Sequence, residues 1–161
     1  MNLTIRPLTI AELPLCESFA RGFFEEKKLP GTFSMETFIQ NWTAFLTQYQ
    51  ATILTLWDGP DLLGGLGAMI TPDLFDGRLT ATEMFWYLKP QARHGLGAFK
   101  LVDEFEAWGD SKGAVEFRLA HMLMPGESPA TVKLAPIYKR RKYRALEVSY
   151  IKSNGGRPCP S

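Results

Sequence analysis

The 161-residue chain has only two cysteines, two histidines and a formal net charge of +1. Cys16 and Cys159 are far apart, one in a helical stretch and one in the C-terminal tail, so neither a disulfide framework nor a zinc site is expected. The balanced charge removes any general pull toward nucleic acid or acidic membranes. No apolar run approaches the roughly 18 residues of a spanning helix, and the N-terminus lacks a signal-peptide pattern. A cytoplasmic protein with no membrane partner and no metal is expected.

Apolar residues are not scarce. At 45% they are enough for a real core and too many for a disordered chain. The length predicts a single domain over residues 1–152. Residues 153–161, with little apolar content, are expected to form a loose tail.

A strand is expected at Asn2–Leu8. Thr9 and Glu12 then form a capping box, with Leu8 and Leu13 as the accompanying hydrophobic staple. Pro14 pushes the helix start toward itself. Ser34 is the N-cap of a second helix carrying Ile39, Trp42, Phe45, Leu46 and Tyr49 at helical spacing. Strands are expected at Ala51–Trp57, Leu62–Ile70 and Thr80–Leu88, the second weakened by Gly64, Gly65 and Gly67. A helix from Gly95 to about Lys112-Gly113 follows. Then come a strand at Val115–Met122, a short helix at Thr131–Lys142 interrupted by Pro136, and a last strand at Ala145–Ile151. Three strands joined by tight turns run antiparallel, and the crossover through the long helix makes one parallel pair. The fold class is α/β (α+β): a mixed, mostly antiparallel sheet of six to seven strands with helices on both faces.

The segment "PQARHGLGAFKLVDEFEAW" carries the strongest functional signal. A strand, a glycine turn and a helix start together make a general anion site, because free N–H groups and the helix dipole face the ligand. Two common phosphate loops do not fit. A dinucleotide fingerprint needs a third glycine where Lys100 stands, and a triphosphate loop needs Gly-Lys-Ser/Thr.

Strand, Pro90, basic loop, Gly95-Leu96-Gly97 and an amphipathic helix resemble motif A of the GNAT superfamily of N-acetyltransferases. The predicted element order is similar over nearly the whole chain. Tyr138, an aromatic five residues on at Tyr143, and a closing strand add to the resemblance. The chain also resembles small bacterial or bacteriophage-borne members. It departs from the pattern at Ala92, where Gln or Arg is usual, and at Lys142, where glycine is usual.

The resemblance implies direct acetyl transfer from acetyl-CoA (coenzyme A) to a primary amine. The pyrophosphate would meet Arg93, His94, Gly95, Leu96, Gly97 and Ala98, with Arg93 taking the place that Ala92 leaves empty. The pantetheine arm would pair with the main chain of Tyr87 and Leu88. Tyr138 would be the general acid, because a phenol near pKa 10 is protonated at neutral pH. Glu83 is the leading general base and His121 its rival. The acceptor would be a small-molecule or peptide amine entering between residues 24–33 and 123–128. Glu25, Glu26 and Glu83 favour a cationic amine, whereas Lys27 and Lys28 oppose it. Nucleic acid is a less favoured partner, suggested only by Lys139-Arg140-Arg141-Lys142, a run that also reads as a solvated helix face. Two alternatives to an amine acetyltransferase stay open: a non-catalytic module that binds CoA or a partner, and an acyltransferase for nucleotides or DNA. Both monomer and homodimer fit.

Overall fold

A computed structural model describes residues 2–29, 31–93, 95–121 and 135–146. The chain forms two compact units, one of Met1–Leu29 with Phe33–Ala120 and one of Pro30–Thr32 with His121–Ser161.

The first unit is built on a sheet of order β1-β2-β3-β4-β5. The strands are β1 (Leu3–Pro7), β2 (Ala51–Asp58), β3 (Asp61–Pro72), β4 (Leu79–Leu88) and β5 (Glu116–Arg118). The first four pair antiparallel, while β4 and β5 run parallel. The helices are α1 (Glu17–Glu26), α2 (Met35–Gln48) and α3 (Gly97–Ser111). The five strands among the described residues are fewer than the six to seven expected. Of the expected closing strand, residues 147–151 lie outside the described residues, and Ala145 and Leu146 are not in a strand.

The N-terminal caps act as their residue types require. The Glu12 carboxylate accepts the Thr9 N–H at 3.0 Å, and the Ser34 hydroxyl accepts the Thr37 N–H at 3.1 Å. Leu8 and Leu13 are both buried in one cluster, as a staple requires. Pro14 changes the local geometry: a 3-10 segment covers Ile10–Cys16 and contains it, and the α-helix starts only at Glu17. Gly113, at φ +78, ends α3 in the left-handed conformation that glycine tolerates best.

Alternation along the strands separates two apolar clusters. Leu54, Leu56, Leu66 and Ala81 pack with Leu101 and Phe105 of α3. Ile53, Phe85 and Tyr87 pack with Phe19 and Trp42 of α1 and α2 on the opposite face. Each fully buried Leu or Phe contributes about 1.5–3 kcal/mol over an exposed one. Gly67 lets these layers close up, since a Cβ there would collide with the rings of Phe85 and Trp42. The three β3 glycines therefore serve close packing inside a well-paired, twelve-residue strand.

The second unit contains α4 (Ala135–Arg140) among its described residues. Of the expected helix over Thr131–Lys142, residues 131–134 lie outside the described residues.

Candidate active site

β4 is the element on which the site is built. It changes register against β3 between Gly67 and Ala68: Phe85 opposes Gly67 and Glu83 opposes Ala68, leaving Met84 as the extra residue. Such a bulge bends the strand and re-aims its side chains. Consequently Ala81 and Leu88, of opposite parity, share the α3 face. The parallel partner β5 pairs through Thr80–Thr82 with Glu116–Arg118, so among the described residues only Glu116–Arg118 of the predicted Val115–Met122 strand is in a strand, Met122 lying outside them.

Glu83 stands where the two strands part. One carboxylate oxygen accepts the Ala120 N–H at 2.8 Å, so a side chain takes the ladder position that a β4 carbonyl would otherwise fill. Glu83 is only 8% exposed. Burial raises its pKa from 4.5 to about 7; the Ala120 N–H and the positive charge of Lys27 act in the opposite direction. A carboxyl that changes charge near neutral pH is suited to accept a proton during catalysis.

Tyr87 and Leu88 close the strand. The Tyr87 ring is buried, meets Phe23 edge-on at 6.4 Å, and lies 5.0 Å from the Arg93 guanidinium. Burial, then the Glu26 charge, raise its phenol above the ordinary value. Arg93 is committed to this corner. Its Nε donates to the Leu88 carbonyl at 2.8 Å, and its two terminal nitrogens donate to the Glu26 carboxylate at 3.0 and 2.6 Å. Hydrogen bonding from Arg93 lowers the Glu26 pKa in turn. Glu26, which the sequence suggested as an attractor of cationic amines, is thus paired with Arg93.

The glycine loop lies beyond this clasp. Gly95 and Leu96 are exposed, Gly97 is the buried first residue of α3, and Ala98 packs partly against the α3-side core. A Cβ on Gly97 would lie 2.7 Å from Leu56 Cδ2, so the Leu56 side chain would have to shift to admit one. No side chain caps the start of α3, and the first N–H groups of such a helix suit a negatively charged oxygen. His94 lies outside the described residues, as do 123–128 of the expected acceptor entrance.

The remaining candidates belong to the second unit. His121 is its half-buried first residue after Ala120. Tyr138 is half-buried on α4, with its ring 6.2 Å from that of Tyr143 and its carbonyl accepting the Tyr143 N–H at 2.9 Å. Lys142, the position of the family's usual glycine, has φ +65, a conformation that favours glycine. Lys139, Arg140 and Lys142 are exposed and Arg141 is half-buried. Two features escaped the sequence reading: the Glu26–Arg93 pair, across 67 positions, and a cavity walled by aromatic rings on the α1–α2 face. Neither has a local motif.

No protein-family model matches the sequence, and no curated protein matches it by sequence. Solved structures do match by shape. The aminoglycoside N-acetyltransferase AAC(6')-Iy, in complex with CoA, is similar at a TM-score of 0.74 and 13% identity, covering 96% of each chain. A transcriptional regulator from Bacillus halodurans is similar at 0.73 and 15% identity, covering 94% of this chain and 99% of that one. A GNAT family acetyltransferase from Staphylococcus aureus is similar at 0.69 and 10% identity, over 95% and 99%. Likeness over nearly the whole length of both chains shows that this chain has the GNAT acetyltransferase fold.

Proposed function

We propose that this chain is an acetyl-CoA-dependent N-acyltransferase acting on a primary amine. The observation that carries the reading is Glu83: a buried carboxyl, held by one backbone N–H at the parting of β4 and β5, with its pKa raised to about 7. Acetyl-CoA supplies the activated acyl group. Glu83 accepts the proton that the amine nitrogen loses as the new C–N bond forms, directly or through water. Tyr138 donates a proton to the CoA sulfur as the C–S bond breaks, and His121 is the alternative base. The uncapped start of α3 fits a pyrophosphate, with the N–H groups of Gly95, Leu96, Gly97 and Ala98 as donors beside His94. Arg93 serves the same anion only on release from Glu26. The main chain of Tyr87 and Leu88 pairs with the pantetheine arm, for which the Leu88 carbonyl must exchange its Arg93 partner.

Release of free thiol from acetyl-CoA across a panel of amines tests this reading. Turnover with at least one primary amine is expected. The second reading, a binding module without turnover, is favoured by the likeness to a transcriptional regulator. Stabilisation by acetyl-CoA separates the outcomes further: at a hundred times its dissociation constant the ligand adds about 2.7 kcal/mol. Stabilisation without thiol release would leave the module. Neither response would reject acetyl-CoA as the ligand.

A further inference from the structure

One cavity on the α1–α2 face has no role in the chemistry above. It has a volume of about 220 Å³ and is walled by Phe23, Phe24, Phe38, Trp42 and Phe85, with Ala20 and Leu29 completing it. The lining contains no charged or hydrogen-bonding side chain apart from the Trp42 indole. Its rings are fixed by one another: Phe85 meets Phe23 at 6.3 Å, Phe38 at 6.2 Å and Trp42 at 5.4 Å, the last edge to face. It exceeds the roughly 150 Å³ that accommodates benzene in an engineered apolar cavity.

Its position relates it to the proton acceptor. Phe85 follows Glu83 by two residues across the Met84 bulge, so one strand carries both the cavity wall and the carboxyl. The start of α3 lies on the opposite face of the sheet from this cavity. An acyl donor held at α3 and an acceptor held here would approach the gap between β4 and β5 from opposite sides.

The charges around the cavity select among amines. Glu26 is occupied by Arg93, and Lys27 places positive charge toward Glu83. The lining itself carries no carboxylate, so the further ammonium groups of a polycation would be desolvated against apolar rings without a partner. An amine on an aryl body places only apolar surface against this lining.

We infer that the aromatic cavity is the acceptor subsite and takes the aryl group of an arylalkyl monoamine, its amino group directed toward Glu83. This rests on the acyltransferase reading. It names the acceptor class as one different from the aminoglycosides of several structural neighbours.

The experiment has two arms on the full-length protein. Thiol release is measured with 2-phenylethylamine, ethylamine and spermidine, and 2-phenylethylamine binding is measured by isothermal titration in the presence of CoA. Leu29→Trp, which fills the cavity from a half-buried position, is compared with the parent after a melting curve confirms folding. At least a tenfold lower KM for 2-phenylethylamine than for ethylamine is expected, with that advantage and the binding lost in Leu29→Trp. Equal or better turnover of ethylamine or spermidine would overturn the inference and leave the acyltransferase reading standing. Absence of thiol release with every amine would count against that reading alone; the titration then decides, since cavity-dependent binding supports an aryl site and binding unchanged by Leu29→Trp overturns it.

Discussion

Replacing Glu83 by Gln should make the protein more tolerant of alkaline conditions. The amide keeps an oxygen to accept the Ala120 N–H at similar geometry, so the fold loses little. What it removes is a buried ionisation. Holding the carboxyl at about 7 when it would otherwise titrate at 4.5 costs the ionised form about 3 kcal/mol. A folded-state pKa raised above the unfolded value gives stability that is fully present below about 4.5 and lost as pH rises through about 7. The parent should therefore lose roughly 2–3 kcal/mol relative to Glu83→Gln between pH 5 and pH 8. Urea unfolding of both proteins at the two pH values measures this directly. A stability difference between them that is the same at pH 5 and pH 8 would refute the assignment of a buried, near-neutral carboxyl.

Three further outcomes follow from the packing and the clasp. Gly67→Ala pushes a Cβ into the Phe85 and Trp42 rings and should cost about 1–3 kcal/mol in urea unfolding, as overpacked cores do. Arg93→Ala should cost at most about 1 kcal/mol, because the Arg93 and Glu26 side chains are 36% and 38% exposed. The Glu26 carboxyl should return toward its ordinary range, read by NMR titration. Tyr138→Phe should lower kcat on the order of a hundredfold while leaving acetyl-CoA affinity unchanged; unchanged kcat would remove Tyr138 from the chemistry.

Features encoded by near neighbours were legible in the sequence. Thr9 with Glu12, Ser34 before α2, the helical spacing of Leu101, Phe105 and Trp108, and Gly113 at the end of α3 all act within a few residues. The strand-to-helix glycine turn also falls where expected, although α3 begins at Gly97 after a short 3-10 turn over Pro90–Ala92. Features that depend on distant partners were not legible. Among the described residues the strand expected over Val115–Met122 pairs only through Arg118, because β4 bends at Met84 and Glu83 takes the Ala120 N–H. The glycines of β3 read as weakness, yet Gly67 makes room for rings from α2 and β4. Arg93 is expected from the sequence to meet a pyrophosphate, and its partner Glu26 lies 67 positions away. Lys142 departs from the family's glycine but keeps the positive φ for which glycine is suited.

The central claim is that Glu83 accepts the amine proton, and the pH dependence of kcat/KM tests it most directly. In the parent the profile should rise through an apparent pKa of about 7, corresponding to ionisation of Glu83. In Glu83→Gln that limb should vanish together with most of the activity. A parent-like profile in Glu83→Gln would contradict the claim, and loss of the limb in His121→Ala alone would move the base to His121.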